Sequence, residues 1–402
     1  MKIVIFNVRY SPNLGDGILA ECLERQLGIA LPGARIETVD LAGRTAYGAQ
    51  DARRSQALRL LQTMPPPIRR MVVERAIGSR LAVLRTLWRR KISRADAVII
   101  GGGNLFQDDD LNFPLKIAQV LELCREEQRP VGIFAVGVSR AWSRRAANLF
   151  GRLQACDVFH VSVRDDGAMH NWRMHFSEGP EASIAPDPAL TLAGRAHRGR
   201  HRERPVVGLC VTHPLVLQRH GGGAGRGHLL GTMDGYRALA EGLVDAGCDV
   251  LFFTNGAVED ASFLDRIRHR MSAFASRNPG RCTFAPRPVA PRELVALVSS
   301  LDAMAGHRLH ACISAYALNV PPVGIGWDQK VESFFRLVGR EPFFVSAHTG
   351  SVRDIRECVL AAVETGLDSE RRRQCMQAAA GSIVRLADSL SVRIEERNGQ
   401  PA

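Results

Sequence analysis

Short apolar runs of strand length recur along this chain, each followed by turn-forming residues and then by apolar residues at helical spacing. KIVIFNV at 2–8 is the first, with DAVIIGGG at 96–103, VGIFAVGVS at 131–139 and VFHVSV at 158–163 after it. Runs that are apolar at nearly every position belong to strands covered on both faces, and strand–helix alternation implies a parallel sheet clothed in helices. The pattern then repeats, with strands expected near 205–211, 249–254, 281–284, 302–305 and 320–325. Between the two series lies GRAHRGRHRER at 194–204, basic, poor in apolar residues and linker-like. The expectation is an α/β protein of two Rossmann-like domains facing a cleft. These are 1–195, 205–375 and a helical tail at 376–402 that returns to the first domain.

Composition bounds the rest. No stretch of about 18 or more apolar residues occurs, so no transmembrane helix is expected. MKIVIFNVRY reads as a first strand rather than a signal peptide, which implies a cytoplasmic protein. The nine cysteines are scattered, odd in number and free of CxxC spacing, which argues against a disulfide framework or a zinc site. The net charge of +12 suits nucleic acid, an anionic membrane or an acidic substrate. No nucleic-acid motif is present and the aromatics do not interleave with the basic residues, so nucleic acid is not an expected partner.

Residues 50–93 form a basic insertion broken by Pro65, Pro66 and Pro67. The part after the prolines has apolar and arginine faces. It reads as a helix covering the core, which is preferred, or as one lying on an anionic membrane surface. LQRHGGGAGRGHL at 217–229 reads either as a lid or as an unstructured insertion.

The stretch with the most chemistry is 302–335, where Arg308, Leu309 and His310 follow an apolar strand and Lys330 follows the next one. Guanidinium grips carboxylate or phosphate through two parallel bonds, and imidazole holds or releases a proton near neutral pH. Ligands of open α/β sheets bind at strand ends. The competing reading is that these are ordinary polar residues at a helix start. Gly101, Gly102, Gly103 and Asn104 end another strand, where bare backbone admits a ligand or a neighbouring segment. They make neither GxGxxG nor GxxxxGK[ST], so a nucleotide fingerprint is unsupported. Asp16 reads as a helix cap or as a cleft residue for a sugar hydroxyl. Asp108, Asp109 and Asp110 read as a solvated, capping loop rather than a metal site. Arg164, next to Asp165, reads as a salt bridge or as a second guanidinium for an anion. Asp187-Pro188 reads as a turn.

Five stretches together resemble the polysaccharide pyruvyl transferase family. They are NLGDGIL at 13–19, IIGGGNLFQD at 99–108, VSVRDDGAM at 161–169, PDPALTL at 186–192 and HRLHACISAYALNVPPVGIGWDQKVESFF at 307–335. The resemblance implies a GT-B-like fold and transfer of pyruvate from phosphoenolpyruvate onto two hydroxyls of a sugar, with a cyclic ketal and phosphate as products. It implies that Arg164 and Arg308 grip the anionic donor, that Leu309 lines the donor site through its backbone and that His310 is the general acid. Lys330 falls in the last motif on the donor side. Asp16, Gly102, Gly103, Asn104 and His213 fall on the acceptor side or line the cleft. One departure is Val211-Thr212-His213-Pro214, where many relatives carry an arginine before the proline. The scheme demands no metal and no cofactor beyond phosphoenolpyruvate as donor. The acceptor is a sugar or glycan precursor, lipid-linked or nucleotide-linked. Two alternatives stay open: a GT-B glycosyltransferase using a nucleotide sugar, and a catalytically silent member that binds glycans or an anionic membrane peripherally through 50–93.

Overall fold

The computed structural model describes residues 1–48, 64–192, 203–220 and 229–399. Most of the linker at 194–204, the glycine run of the 217–229 loop and the first part of the basic insertion lie outside the described residues. The chain divides into two compact units, one of 1–11, 19–191 and 377–402, the other of 12–18 and 192–376. This division differs from the boundaries expected above by grouping residues 12–18 with the second unit.

The first unit is built on strands β1 (Lys2–Asn7), β2 (Arg35–Asp40), β3 (Ala97–Phe106), β4 (Val131–Val138), β5 (Val158–Val163) and β6 (Ser183–Ile184). They lie in the order β2-β1-β3-β4-β5-β6, every neighbouring pair parallel. β3 is longer than the apolar run at 97–100 suggests, because the strand continues through the three glycines instead of turning there. Gly102 and Gly103 take φ values of +79° and +89°, backbone that side chains rarely adopt, and the pairing with β4 shifts register just after them. Leu19 packs so tightly onto Gly102 that a Cβ there would overlap it.

Helices cover both faces of this sheet. Helix Pro66–Ile92 buries Leu81, Leu84, Trp88 and Ile92, with Trp88 edge-on to Phe6 at 5.4 Å between ring centres. Apolar residues at i, i+3, i+7 and i+11 put these four on one side of the helix. On the other face, Ile383, Leu386, Ala387 and Leu390 of helix Ser369–Gly399 join Ile3, Ile5, Ile99 and Phe134 in a second core cluster.

The second unit carries β7 (Val206–Val211), β8 (Asp249–Thr254), β9 (Cys282–Phe284), β10 (Ala303–Gly306), β11 (Pro322–Ile325) and β12 (Phe344–Val345). The order is β12-β11-β10-β7-β8-β9, again parallel throughout. The order reverses direction between β7 and β10, which pair through Cys210 and Gly306. At such a switch point the loops leaving two adjacent strands diverge and open a crevice at the strand C-termini. Those two loops begin at Thr212 and His307.

Candidate active site

Site geometry in the second unit follows from the switch point. β10 ends at Gly306, and helix Leu309–Ala317 begins three residues later, with Arg308 in extended backbone at its N-cap. The Leu309 N–H therefore sits in the first turn, where backbone donors have no helical partner. Leu309 itself is buried.

Arg308 does not reach out as a loose surface charge. Its Nε and Nη2 donate to Asp260 Oδ2 at 3.1 and 2.5 Å. Asp260 is fully buried, in the first turn of helix Val258–Arg270 after β8. Burial works against the Arg308 charge, and the Asp260 carboxylate more than offsets it, holding the guanidinium above the usual arginine range. The second oxygen of Asp260 accepts the His213 backbone N–H at 2.8 Å. One carboxylate thus ties the loop after β7 to the guanidinium after β10. The His213 ring accepts the Leu215 N–H at Nδ1, 3.1 Å, and lies edge-on to Phe263.

His310 is buried and its Nδ1 lies 3.2 Å from Asp16 Oδ1. Asp16 stands inside the first turn of helix Leu14–Ala30, so it is not the residue that starts that helix. Its carboxylate orients the imidazole instead, and a carboxylate beside one ring nitrogen fixes which nitrogen carries the proton. The approach is close because position 15 is glycine; a Cβ there would overlap His310. The segment is fastened by Leu14 N–H to Asn255 O at 2.9 Å and by an amide–amide bond between Asn255 and Asn13.

Lys330 pairs with Asp328 at 2.8 Å and lies 4.8 Å from the centre of the Trp327 ring. Trp327 Nε1 donates to the His307 carbonyl at 2.6 Å, next to Arg308. The final motif is thereby linked to the Arg-Leu-His triplet through a ring and a backbone oxygen.

In the first unit, Arg164 leaves the end of β5 buried, with Nε 3.2 Å from Asp165 Oδ2. Asp165 also caps helix Asp166–His175 by accepting the Ala168 N–H. Asn104 sits beside Arg164: a Cβ at Gly137, the neighbouring point of β4, would meet Arg164 Nη2 at 3.1 Å and crowd Asn104 Oδ1. Gly137 thus keeps the two side chains together over the strand end. Gly103 faces open space, whereas Gly102 is covered by Leu19. The aspartates at 108–110 act as loop residues: Asp108 accepts the Leu111 and Ser143 N–H groups, and Asp110 pairs with Arg69 at 2.8 Å. Among the described residues no group of three His, Cys, Asp or Glu side chains gathers as a metal site would.

Sequence reasoning missed Asp260 altogether. It falls in a Glu-Asp pair at a helix start, which reads as an ordinary favourable charge on the helix dipole. Nothing local distinguishes it from its exposed kind; only the pairing of β7 with β8 and β10 brings it under Arg308.

Two parallel, helix-covered sheets, each with polar side chains at its strand C-termini, define an α/β protein of the GT-B architecture. Solved structures agree on that architecture. A UDP-glucosyltransferase from Polygonum tinctorium is 12% identical, with 97% of this chain and 98% of that one covered and a TM-score of 0.52. A UDP-GlcNAc 2-epimerase from Methanocaldococcus jannaschii is 10% identical over 92% and 93% of the two chains, TM-score 0.52. A structure assigned as a UDP-N-acetylglucosamine 2-epimerase from Listeria monocytogenes reaches a TM-score of 0.56 at 11% identity, covering 98% and 97%. No curated protein matches the chain in sequence. The family model for polysaccharide pyruvyl transferases matches residues 13–329, and the chain belongs to that family of transferases.

Proposed function

We propose that this protein moves pyruvate from phosphoenolpyruvate onto two hydroxyls of a sugar in a polysaccharide or glycan precursor, in the cytoplasm. The observation that carries the reading is the Arg308–Asp260 pair set two residues before the His310–Asp16 pair, at the switch point of the second sheet. A guanidinium fixed by a buried carboxylate is a preorganised anion clamp, and the exposed part of Arg308 remains for a carboxylate or phosphate. The Leu309 N–H adds a helix-terminal donor, and Lys330 adds positive charge on the same strand edge.

The chemistry balances with these groups. His310 gives a proton to the methylene carbon of phosphoenolpyruvate, leaving a cationic centre at C2. One sugar hydroxyl oxygen bonds to C2 and loses its proton. A second hydroxyl oxygen bonds to C2 as the C2–O bond to phosphate breaks. Phosphate leaves; of the two hydroxyl protons released, one restores His310 and the other departs on the phosphate. Asp16 keeps the ring aligned throughout. Arg164 and Asn104 offer anion-binding and hydrogen-bonding chemistry at the strand ends of the first sheet.

Calorimetric titration of phosphoenolpyruvate into wild type and into Arg308→Ala, each with and without a panel of glycan precursors, tests the reading. Saturable binding to wild type that disappears in the variant, with phosphate released when an acceptor is present, is the expected result. No binding to wild type under either condition overturns it.

A further inference from the structure

Helix Pro66–Ile92 has a second face that the core does not use. Opposite the buried Leu81, Leu84, Trp88 and Ile92, it exposes Ile68, Met71, Val72, Val83 and Leu87. Val83 is 75% exposed and Met71 63%, far beyond an isolated surface apolar residue grazing solvent. Successive positions of a 3.6-residue helix put Ile68, Val72, Val83 and Leu87 within one stripe, and Arg75 and Arg90 fall inside it.

Charge separates this face from an ordinary apolar patch. The helix carries seven arginines and one lysine against a single acidic residue, Glu74. Several of these are already neutralised on the protein side: Arg69 by Asp110, Arg85 and Arg89 by Glu126, and Lys91 by Glu37. Glu74 is in turn matched by Arg145. Arg75, Arg80 and Arg90 are exposed and make no ion pair among the described residues. The face therefore presents uncompensated positive charge interleaved with large apolar side chains. A protein partner with an apolar groove would not need the arginines, and a polyanion such as nucleic acid would not need the aliphatics. An anionic lipid surface uses both: headgroups take the guanidinium groups while the aliphatic side chains enter the acyl boundary. The helix is not long and apolar enough to cross a membrane, so it would lie on one.

We infer that this outer face of helix Pro66–Ile92 docks the protein onto an anionic membrane surface. The inference is independent of the reaction proposed above, since none of these side chains belongs to the candidate active site.

The test is co-sedimentation of the full chain with vesicles of phosphatidylcholine alone or with about one-third phosphatidylglycerol. Binding is expected only to the anionic vesicles and is expected to fall at least tenfold when salt is raised to about 0.5 M, because surface charges are screened within a few ångströms there. Arg75→Glu with Arg90→Glu should reduce it at least tenfold. Val83→Ser with Leu87→Ser, which leaves the charge unchanged, should reduce it severalfold, and that result separates apolar insertion from plain charge attraction. All four positions are exposed, and circular dichroism melts within a degree or two of wild type confirm that the variants fold. No binding to anionic vesicles, or binding that both double variants retain in full, overturns the inference. So does self-association in the ultracentrifuge that Val83→Ser/Leu87→Ser abolishes in a protein that ignores vesicles, which would assign the face to a second copy of the chain.

Discussion

Replacing Asp260 with asparagine tests whether the anion clamp is built from the inside. Three donors converge on this one buried carboxylate: Arg308 Nε, Arg308 Nη2 and the His213 N–H. An asparagine of nearly the same shape has one acceptor oxygen. Turned toward Arg308, it sets its NH2 against the His213 N–H; turned the other way, it sets that NH2 against the guanidinium. Either way a buried donor is stranded, at about 1–3 kcal/mol. The Arg308 charge also loses its counter-ion, and breaking a buried pair from one side costs about 3–5 kcal/mol in total. The loss should appear in urea unfolding, and hydrogen exchange should place it in β7, β8 and β10. The same variant should bind phosphoenolpyruvate at least tenfold more weakly, since the guanidinium is no longer held in place. Asp260→Leu combined with Arg308→Met should recover much of the stability, because two apolar groups can replace a buried pair, yet bind no donor. An Asp260→Asn protein within about 0.5 kcal/mol of wild type, a spread typical of neutral surface changes, and with unchanged donor affinity would refute the reasoning.

Four further outcomes follow from particular contacts. His310→Gln and His310→Ala should both abolish phosphate release while the protein keeps a native circular dichroism spectrum and a cooperative melt, since the ring acts on the substrate. Gly15→Ala should lower single-turnover rates at least tenfold, because the added Cβ overlaps His310 and must push the ring off Asp16, although alanine itself favours the helix. His160, held by Ser389 and Ser162, is driven by burial and then by Arg385 down to about 4 from its ordinary value near 6.5. The unfolded chain then binds the extra proton first, so stability is intact above pH about 6.5 and falls by about 3 kcal/mol as pH drops to about 4; urea midpoints at pH 7 and 4.5 should show this, and His160→Gln should flatten it. Trp88→Ala, at a fully buried ring packed on Phe6, should cost about 3–5 kcal/mol by the same denaturation assay.

What could be read from the chain, and what could not, divides by the range of the interaction. The central strands of both sheets are announced by their own residues, because a strand covered on both faces must be apolar along its length, whereas the two-residue edge strands β6 and β12 carry no such signal. KIVIFN and VGIFAVGV need no partner to be recognised. β3 escapes the same logic beyond Ile100: glycine signals a turn in general, and only the arrival of Leu19 on Gly102 explains why the strand runs on to Phe106. Helix Pro66–Ile92 was legible as amphipathic, yet the choice between covering the core and facing a membrane was too narrow. Its 27 residues have one face in the core and leave a second exposed.

The site divides in the same way. Arg308, Leu309 and His310 are contiguous, so a triplet after an apolar strand was enough to raise them as candidates, and the resemblance supplied the roles expected of them. The groups that hold them are not contiguous. Asp16 is far from His310 in sequence, and Asp260 sits on a different strand–helix unit from Arg308. Asp260 reaches Arg308 because the sheet order places β8 beside β7 and β7 beside β10, and Asp16 reaches His310 because its segment is fastened to Asn255 after β8. Candidates for a general acid and an anion clamp can therefore be nominated from local sequence, whereas the carboxylates beside them are products of topology. That asymmetry also says where to look for differences among relatives. A chain can retain the Arg-Leu-His triplet and still lose function if Asp16, Gly15 or Asp260 has changed, because those residues set the geometry that the triplet needs.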